Sequence, residues 1–173
     1  AEYAHVSGSP WWLLVPGASW NHPTGPQSSV DDVMDHPVVH VSLQDALAYC
    51  DWAKVKLPTE TQWEYAARGG TTTQFPWGNN LEEDGEFHAN TWQGDFPNTN
   101  TKADGFLGTA PVKSFEPNGY GLYQMIGNVW EWCCNHRGIP FEEIEEDASR
   151  PINFEYEYAI RGGSFLCHCS YCN

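Results

Sequence analysis

From Gly70 to its C-terminal end the chain has no regular hydrophobic periodicity, although tryptophans and phenylalanines recur throughout this region. Turn-forming residues interrupt the region at positions 75–80, 98–100 and 117–121. Such a region cannot satisfy its backbone N–H and C=O groups in long helices or sheets, so side-chain hydrogen bonds or bound cations must satisfy them. The sequence therefore predicts a fold in which ordered loops form much of the structure.

Two helices are well marked before this region. Ser42 and Asp45 form the capping-box pattern at the start of the first helix, and apolar residues follow at helical spacing. Thr59 and Gln62 form the same pattern at the start of the second helix, which is expected to stop at Gly69. Both helices are therefore predicted from local signals alone.

Two shorter patterns complete the prediction of the fold. Residues 37–41 have the composition of a short strand that leads into the first helix. The acidic run 142–147 predicts a solvated surface loop. A chain of 173 residues is long enough for one domain with a core and too short for two ordinary ones. We therefore expect a single α+β domain over residues 1–173 with little regular secondary structure.

The charge of the chain excludes some classes of partner. The sequence has 8 Lys+Arg and 23 Asp+Glu, which give a formal net charge of −15. A surface of this sign repels phosphate backbones and anionic lipids, so no nucleic-acid partner is expected. No apolar stretch approaches the roughly 20 residues of a transmembrane helix, so no membrane insertion is expected. The acidity suits calcium sites, basic partners or simply a soluble surface.

Three of the six cysteines, Cys167, Cys169 and Cys172, lie within the last seven residues. Sulfur atoms this close can form a disulfide, act as redox thiols or bind a soft metal. A zinc site would need a second pair of ligands, and the adjacent residues Cys133 and Cys134 do not form a Cys-X-X-Cys pattern. Spacing alone leaves the disulfide and metal interpretations open.

Several motifs resemble the formylglycine-generating-enzyme (sulfatase-modifying factor) superfamily. The most specific is the helical segment Leu57-Pro58-Thr59-Glu60-Thr61-Gln62-Trp63-Glu64-Tyr65-Ala66-Ala67-Arg68-Gly69-Gly70. Segments 75–79, 118–123, 127–132 and 161–164 are similar to further family motifs, and their order and spacing match from about Trp11 to Asn173. The resemblance implies a C-type-lectin-like fold.

The end of the chain resembles the catalytic members of this superfamily. Residues 167–172 are similar to the active-site segment of the true formylglycine-generating enzymes, and residues 11–13 and 35–42 are similar to the animal-type branch. The resemblance implies a copper-dependent oxidase that uses dioxygen to convert the cysteine of a sulfatase Cys-X-Pro-X-Arg motif to Cα-formylglycine. A non-catalytic module that recognises sulfatases or glycans is the alternative from another class, and a disulfide-stapled structural domain is the third.

The same resemblance assigns the catalytic residues. Cys167 and Cys172 would hold Cu(I), a soft ion that thiolates prefer, and the client cysteine would join as a third sulfur ligand. Ser164 would position dioxygen or water. The alternative for Ser164 is a turn hydroxyl that bonds to its own backbone.

The resemblance also implies two calcium sites built from oxygen ligands. Asn90 and Asp104 would contribute side chains to site 1, with the carbonyls of Thr91 and Phe106. Site 2 would combine the side chains of Gln124 and Glu131 with the carbonyls of Gly127 and Val129. Gln124 stands where the family usually has Asn. The alternatives are an ordinary turn at Asp104 and a buried hydrogen-bonding carboxylate at Glu131.

Partners and compartment follow from the resemblance as expectations. The partners would be unfolded or nascent sulfatase polypeptides in the lumen of the endoplasmic reticulum, and the protein itself would be a monomer or weak dimer. We expect the chain to be a fragment, incomplete at both ends, in which activity is not guaranteed. Cys169 replaces an arginine of the animal enzymes, Ala67 replaces a bridging cysteine, and Cys50 matches a cysteine whose partner lies beyond this chain.

Overall fold

The computed structural model describes residues 3–167, 171 and 172 of the chain. Three antiparallel two-stranded sheets and three α-helices are the regular elements of this described part. In chain order they are β1 (Ala4–Val6), β2 (Ser9–Leu14), α1 (Leu43–Ala53), α2 (Glu60–Arg68), β3 (Glu82–Glu83), β4 (Glu86–Phe87), β5 (Glu131–His136), α3 (Ile144–Ala148) and β6 (Tyr158–Arg161), with a 3₁₀ turn at Phe141–Glu143 before α3.

Both predicted helices are confirmed, together with their caps. The Ser42 side chain accepts a hydrogen bond from the Asp45 N–H, and the Asp45 carboxylate accepts one from the Ser42 N–H. The Thr59 and Gln62 side chains make the reciprocal pair at the start of α2. Gly69 ends α2 in the left-handed conformation, at φ 58°, where a residue without Cβ has no steric cost.

The core lies where α2 packs on the pair β5–β6. Trp63 and Ala67 of α2 face Cys133 of β5 and Ala159 of β6, and Trp63 is only 3% exposed. Truncating a buried tryptophan to alanine costs about 3–5 kcal/mol, so Trp63 is a main anchor of this small core. The cluster is completed by Phe75, Ala89, Ile126, Cys167 and Cys172.

The strand predicted at residues 37–41 is wrong. His40 has φ 55°, a left-handed conformation that interrupts an extended segment. Its ring Nε2 donates a hydrogen bond to the Pro23 carbonyl over 2.7 Å, which ties this segment to an earlier loop. Residues 37–41 are therefore an ordered loop that leads into α1.

The solvated loop predicted at residues 142–147 is also wrong. The segment forms the end of the 3₁₀ turn and most of α3, with Ile144 and Asp147 buried on one face. Asp147 accepts hydrogen bonds from both the backbone and the ring of His136 in β5. The glutamates of this segment are exposed, and Asp147 is the buried carboxylate among its residues.

The α+β class with short antiparallel strands and little regular structure is confirmed. Loops connect the elements over most of the chain, and buried polar side chains lie among them. Within the described residues, no helix has the length and apolar character needed to cross a lipid bilayer.

Candidate functional site

The segment after β6 places the C-terminal cysteines against the core. We call residues 162–167 the thiol turn. Gly162 and Gly163 have φ 96° and 75°. A Cβ atom at Gly163 would lie 2.5 Å from Cys172 Sγ, so a side chain at this position would displace that sulfur. Gly163 is therefore required for the close approach of Cys172 to the turn, whereas Gly162 lies against Met125 and Trp63.

Ser164 and Cys167 interact within the thiol turn. Ser164 Oγ lies 3.0 Å from Cys167 Sγ, and both residues are buried. The Leu166 N–H donates a 3.3 Å hydrogen bond to the same Ser164 oxygen. The structure thus gives Ser164 a sulfur partner, and it also shows the backbone contact considered as the alternative.

Three of the sequence-assigned residues are therefore brought together. Cys172 lies against Gly163, and Cys167 lies against the adjacent Ser164. Both cysteines belong to the same buried cluster as Trp63. Cys167 carries no disulfide bond, so a Cys167–Cys172 disulfide is absent from this structure.

Arg161 anchors the thiol turn to α2. Its guanidinium pairs with Glu60 over 3.3 Å and with Glu64, and it lies 5.2 Å from the centroid of the Trp63 ring. Arg68 in turn pairs with Glu64 over 2.7 Å. The last residue of β6 is thus held by two carboxylates before the chain enters the turn.

A cavity of about 320 Å³ opens beside these residues, and Cys172 is part of its lining. Trp130 and Tyr171 also line it, with their ring centroids 6.5 Å apart in an edge-on arrangement. A second cavity of about 560 Å³ shares both aromatic residues. Cys172 is therefore bordered by an aromatic wall that continues between the two cavities.

The remaining described cysteines do not join this site. Burial raises the pKa of Cys133 to about 12, with a further contribution from the carboxylate of Glu60. Burial also raises the pKa of Cys134. Neither thiol is suited to form a thiolate at neutral pH. Cys169 lies outside the described residues, so the structure does not test the effect of a cysteine in place of the family arginine.

The four residues assigned to site 1 lie together. Asp104 accepts hydrogen bonds from the Thr91 N–H (3.0 Å) and from the Phe106 N–H (2.9 Å). Asn90 is 1% exposed, and its amide nitrogen donates to the Gly108 carbonyl. The structure thus ties Thr91 and Phe106 to the Asp104 carboxylate through their N–H groups. That their carbonyls bind calcium stays a prediction.

Gln93 is a residue of site 1 that the sequence did not identify. Its amide nitrogen contacts three oxygen atoms: the Thr91 carbonyl, the Thr91 hydroxyl (3.2 Å) and the Asp104 carboxylate (2.9 Å). An amide NH₂ has two protons for these three acceptors. Oxygens that converge on one point in this way suit a cation. Nothing in the sequence distinguishes this glutamine from an ordinary loop amide.

Two buried polar groups assigned to site 2 lack full hydrogen bonding or compensation of their charge. Gln124 Oε1 is buried and accepts no hydrogen bond from the described residues, while its Nε2 donates to the Pro111 carbonyl. Burial raises the pKa of Glu131, and the 2.8 Å hydrogen bond from Trp63 Nε1 offsets this only in part. An orphaned amide oxygen and a desolvated carboxylate are the groups that a hard cation stabilises. Within the described ranges, no group of three or more His, Cys, Asp or Glu side chains is placed to hold a metal ion. The ligands expected at sites 1 and 2 are mostly amide and carbonyl oxygens.

The fold and the site first define a class of protein. It is an α+β domain of short elements that holds a serine and a cysteine in one buried glycine turn, with a second cysteine packed against this turn. The family model described as "Sulfatase-modifying factor enzyme 1-like domain" matches residues 1–173. The chain belongs to this sulfatase-modifying factor family, and the family predicted from the sequence motifs is confirmed.

Relatives named "Formylglycine-generating enzyme" are similar over nearly the whole chain. The Bos taurus protein is 51% identical over 168 residues, which are 96% of this chain and 45% of the relative. The Thermomonospora curvata protein is 53% identical over 175 residues, which are 98% of this chain and 58% of the relative. The chain thus spans about half the length of the curated relatives it matches.

Two further comparisons limit what similarity alone can assign. A Bos taurus relative named "Inactive C-alpha-formylglycine-generating enzyme 2" is 51% identical over 124 residues, which are 70% of this chain and 40% of the relative. Active and inactive relatives therefore reach the same identity. The solved structure of PvdO from Pseudomonas aeruginosa is 29% identical with a TM-score of 0.63, over 87% of this chain and 57% of that one. It supports the fold.

Proposed function

We propose that the protein is an oxidase that converts the cysteine of a Cys-X-Pro-X-Arg motif in a sulfatase to Cα-formylglycine, with dioxygen as the oxidant and copper as the cofactor. The observation that supports this most directly is the thiol turn. Ser164 contacts Cys167, and Cys172 lies against Gly163, in a chain of the sulfatase-modifying factor family.

The proposed reaction needs a reductant as well as dioxygen. Breaking a Cβ–H bond and the S–H bond of the client cysteine gives a thioaldehyde and releases two electrons. Dioxygen takes up four electrons when it becomes two waters, so two more come from small thiols that leave as a disulfide. Water then replaces the thioaldehyde sulfur, which leaves as hydrogen sulfide. The products are the aldehyde, hydrogen sulfide, water and a disulfide.

The donor set of the thiol turn fits a soft monovalent metal. Cys167 and Cys172 are both buried in the apolar cluster, and thiolates are the ligands that select Cu(I). These two residues would hold the ion. When bound, copper(I) supplies the one-electron chemistry that activates dioxygen.

The protein groups around the thiols have separate roles in this proposal. The Ser164 hydroxyl, which is in hydrogen-bond contact with the Cys167 sulfur, would position dioxygen or water beside it. Trp130 and Tyr171 border Cys172 and provide an aromatic wall for the client segment. Burial of both cysteines keeps bulk water away from them.

Calcium is the second cofactor that we propose, at two structural sites. Site 1 is supported by the oxygens that converge on the Gln93 amide nitrogen, and site 2 by the buried oxygen of Gln124 and the buried carboxylate of Glu131. The role of calcium would be to order loops whose backbone groups lie outside helices and sheets.

The client in this proposal is an unfolded or nascent sulfatase, as the family resemblance implies. The compartment that we propose is the lumen of the endoplasmic reticulum, on the resemblance of residues 11–13 and 35–42 to the animal-type branch. The bacterial relative from Thermomonospora curvata is about as similar to this chain as the Bos taurus relative is, so overall similarity does not indicate the compartment. The proposal of this compartment rests on the two short segments.

The test is the conversion of a Cys-X-Pro-X-Arg peptide by the purified protein with copper(I), air and a small thiol. Cys172→Ser is expected to abolish formation of the aldehyde, detected with a hydrazide probe, while the far-ultraviolet circular dichroism spectrum stays unchanged. Cys50→Ser, which changes a buried cysteine of α1 far from the thiol turn in sequence, is the matched control and should retain turnover. Full activity of Cys172→Ser would contradict the proposal.

A non-catalytic module that recognises sulfatases or glycans is a second candidate, because an inactive relative is as similar to this chain as the active ones. It predicts peptide or glycan binding that is unaffected by Cys172→Ser and yields no aldehyde. Binding measured by isothermal titration with both variants separates the two candidates.

A further inference from the structure

Asn128 occupies a central position between segments that are distant in sequence. It is 3% exposed and adopts φ 60°, and each of its polar groups has a partner. The side-chain oxygen accepts from Asn90 Nδ2 (3.1 Å) and from the Ala110 N–H (2.9 Å). The side-chain nitrogen donates to the Ala110 carbonyl over 3.1 Å. A single buried residue thus connects the loops around residues 90, 110 and 128.

The backbone of Asn128 reaches the thiol turn. Its carbonyl accepts from the Phe165 N–H over 3.0 Å, and the neighbouring Gly127 N–H donates to the Gly162 carbonyl over 2.8 Å. These two hydrogen bonds lie on either side of Ser164, so the position of segment 127–128 sets the position of the serine.

The backbone of Asn128 also reaches site 1. Its N–H donates to the Asn90 carbonyl over 2.8 Å. The peptide group of that carbonyl contains the Thr91 N–H, which donates to the Asp104 carboxylate over 3.0 Å. The peptide bond between Gly127 and Asn128 contains both this Asn128 N–H and the Gly127 carbonyl, which is a proposed ligand of site 2. Two peptide groups in series therefore link a ligand of site 2 to the carboxylate of site 1.

We propose that Asn128 couples the two calcium sites to each other and to the thiol turn, so that calcium binding at either site strengthens the other and orders Ser164 and Cys167. This inference rests on the calcium sites of the proposed function and is independent of its oxidase chemistry. A cation at the Gly127 carbonyl fixes segment 127–128 and, through the Asn128 N–H, the Asn90 carbonyl bonded to it. The second cation then binds loops that are already ordered, so it loses less conformational entropy.

The coupling has two measurable consequences. Since coupling between sites is reciprocal, Glu131→Gln, which removes the carboxylate of site 2, should also weaken calcium binding at site 1 by about fivefold or more. Calcium should slow the alkylation of Cys167 by iodoacetamide by about fivefold or more, because alkylation of a buried thiol needs local opening of the thiol turn.

The experiment combines calcium titration calorimetry with alkylation of the full chain, followed site by site by mass spectrometry. Cys50, a buried cysteine in α1, is the internal reference for general stabilisation and should depend on calcium less strongly than Cys167. Asn128→Gly keeps the left-handed backbone but removes the side-chain links to Asn90 and Ala110, and it should reduce both effects. Lys54→Gly, at an exposed left-handed residue after α1, is the matched control and should preserve them.

Distinct outcomes separate the possible failures. One outcome is that calcium binds at both sites, Glu131→Gln leaves the calcium affinity of site 1 unchanged, and calcium leaves the alkylation rate of Cys167 unchanged. The coupling is then overturned and the calcium sites stand. If calcium does not bind, both are overturned. Because the readouts are calcium affinity and alkylation, loss of oxidase activity alone would leave the coupling supported. The Glu131→Gln result decides the matter even where Asn128→Gly does not fold.

Discussion

At the scale of single residues, Glu131 shows how burial prepares a group for a cation. Its carboxylate has one hydrogen-bond donor among the described side chains, Trp63, and burial raises its pKa more than this bond lowers it. A divalent cation would compensate the buried charge directly. The desolvated state of Glu131 is thus understandable if the residue acts as a ligand.

This residue gives a prediction about pH. Because the raised pKa of Glu131 means that it takes up a proton at a higher pH than an ordinary glutamic acid, calcium affinity at site 2 should fall on mild acidification before exposed carboxylates titrate. Glu131→Gln should remove this pH dependence together with the affinity. Calcium titrations over a pH series measure it, and a site 2 affinity that is constant down to the ordinary pKa of glutamate would contradict it.

The same residue predicts opposite effects on stability with and without calcium. When folding raises the pKa of a carboxyl group, the folded state becomes less stable as the pH rises above the unfolded pKa of that group. Ionised Glu131 therefore destabilises the calcium-free fold at neutral pH. Glu131→Gln keeps an acceptor for Trp63 without the charge. We expect it to raise the melting temperature in a chelator and to lower it in excess calcium. A lower melting temperature in both conditions would exclude this account.

At the scale of elements, local signals in the sequence predicted α1 and α2 but not α3 or the loop at 37–41. The two helices carry complete capping boxes, which depend on residues three positions apart. The conformation of α3 depends on Asp147 reaching His136 in β5, and the loop depends on the left-handed His40. Neither a contact with a distant strand nor a single left-handed residue produces a local pattern in the sequence. The conformations of α3 and of the loop at 37–41 could therefore not be predicted from sequence patterns.

Asp147 predicts how α3 is held on β5. Burial would raise the pKa of Asp147, but the His136 backbone and ring and the Arg150 guanidinium outweigh it and lower the pKa. A depressed pKa contributes stability above the unfolded value of 3.8 that is lost as pH falls through the folded value. Asp147→Asn should therefore cost about 1–3 kcal/mol of unfolding free energy at neutral pH and much less in acid.

Urea denaturation at neutral and acidic pH measures this difference for Asp147→Asn. Glu146→Gln is the matched control, since it removes a neighbouring carboxylate that is 75% exposed and pairs with Arg150 over 3.0 Å. We expect this control to change the unfolding free energy by less than about 0.5 kcal/mol. An equal loss from both variants would mean that helix charge, and not the contact with His136, holds α3.

At the scale of the whole molecule, the motifs predicted the family and the residues of the thiol turn, while the connections between sites came from the structure. Ser164 and Cys167 are close in sequence, so their contact could be expected. Gln93 and Asn128 contribute through partners in other loops, at positions where an amide side chain has no distinctive signal. The residues of the thiol turn could therefore be proposed from sequence motifs, whereas the hydrogen-bond network between the loops is seen only in the structure.

The loop-rich architecture predicts that calcium stabilises the molecule as a whole. The chain has a net charge of −15, and its core rests on a few residues of α2, β5 and β6, so the calcium-free state bears both self-repulsion and loops outside regular elements. Two sites at about 100 times their dissociation constants would add roughly 5 kcal/mol, which corresponds to an increase in melting temperature of roughly 10–20 °C for a domain of this size. Thermal unfolding in calcium, in magnesium at equal ionic strength and in chelator measures the effect. A rise of equal size in magnesium would show that screening of the net charge, and not binding at sites 1 and 2, stabilises the loops, because magnesium prefers a smaller octahedral site with bound waters.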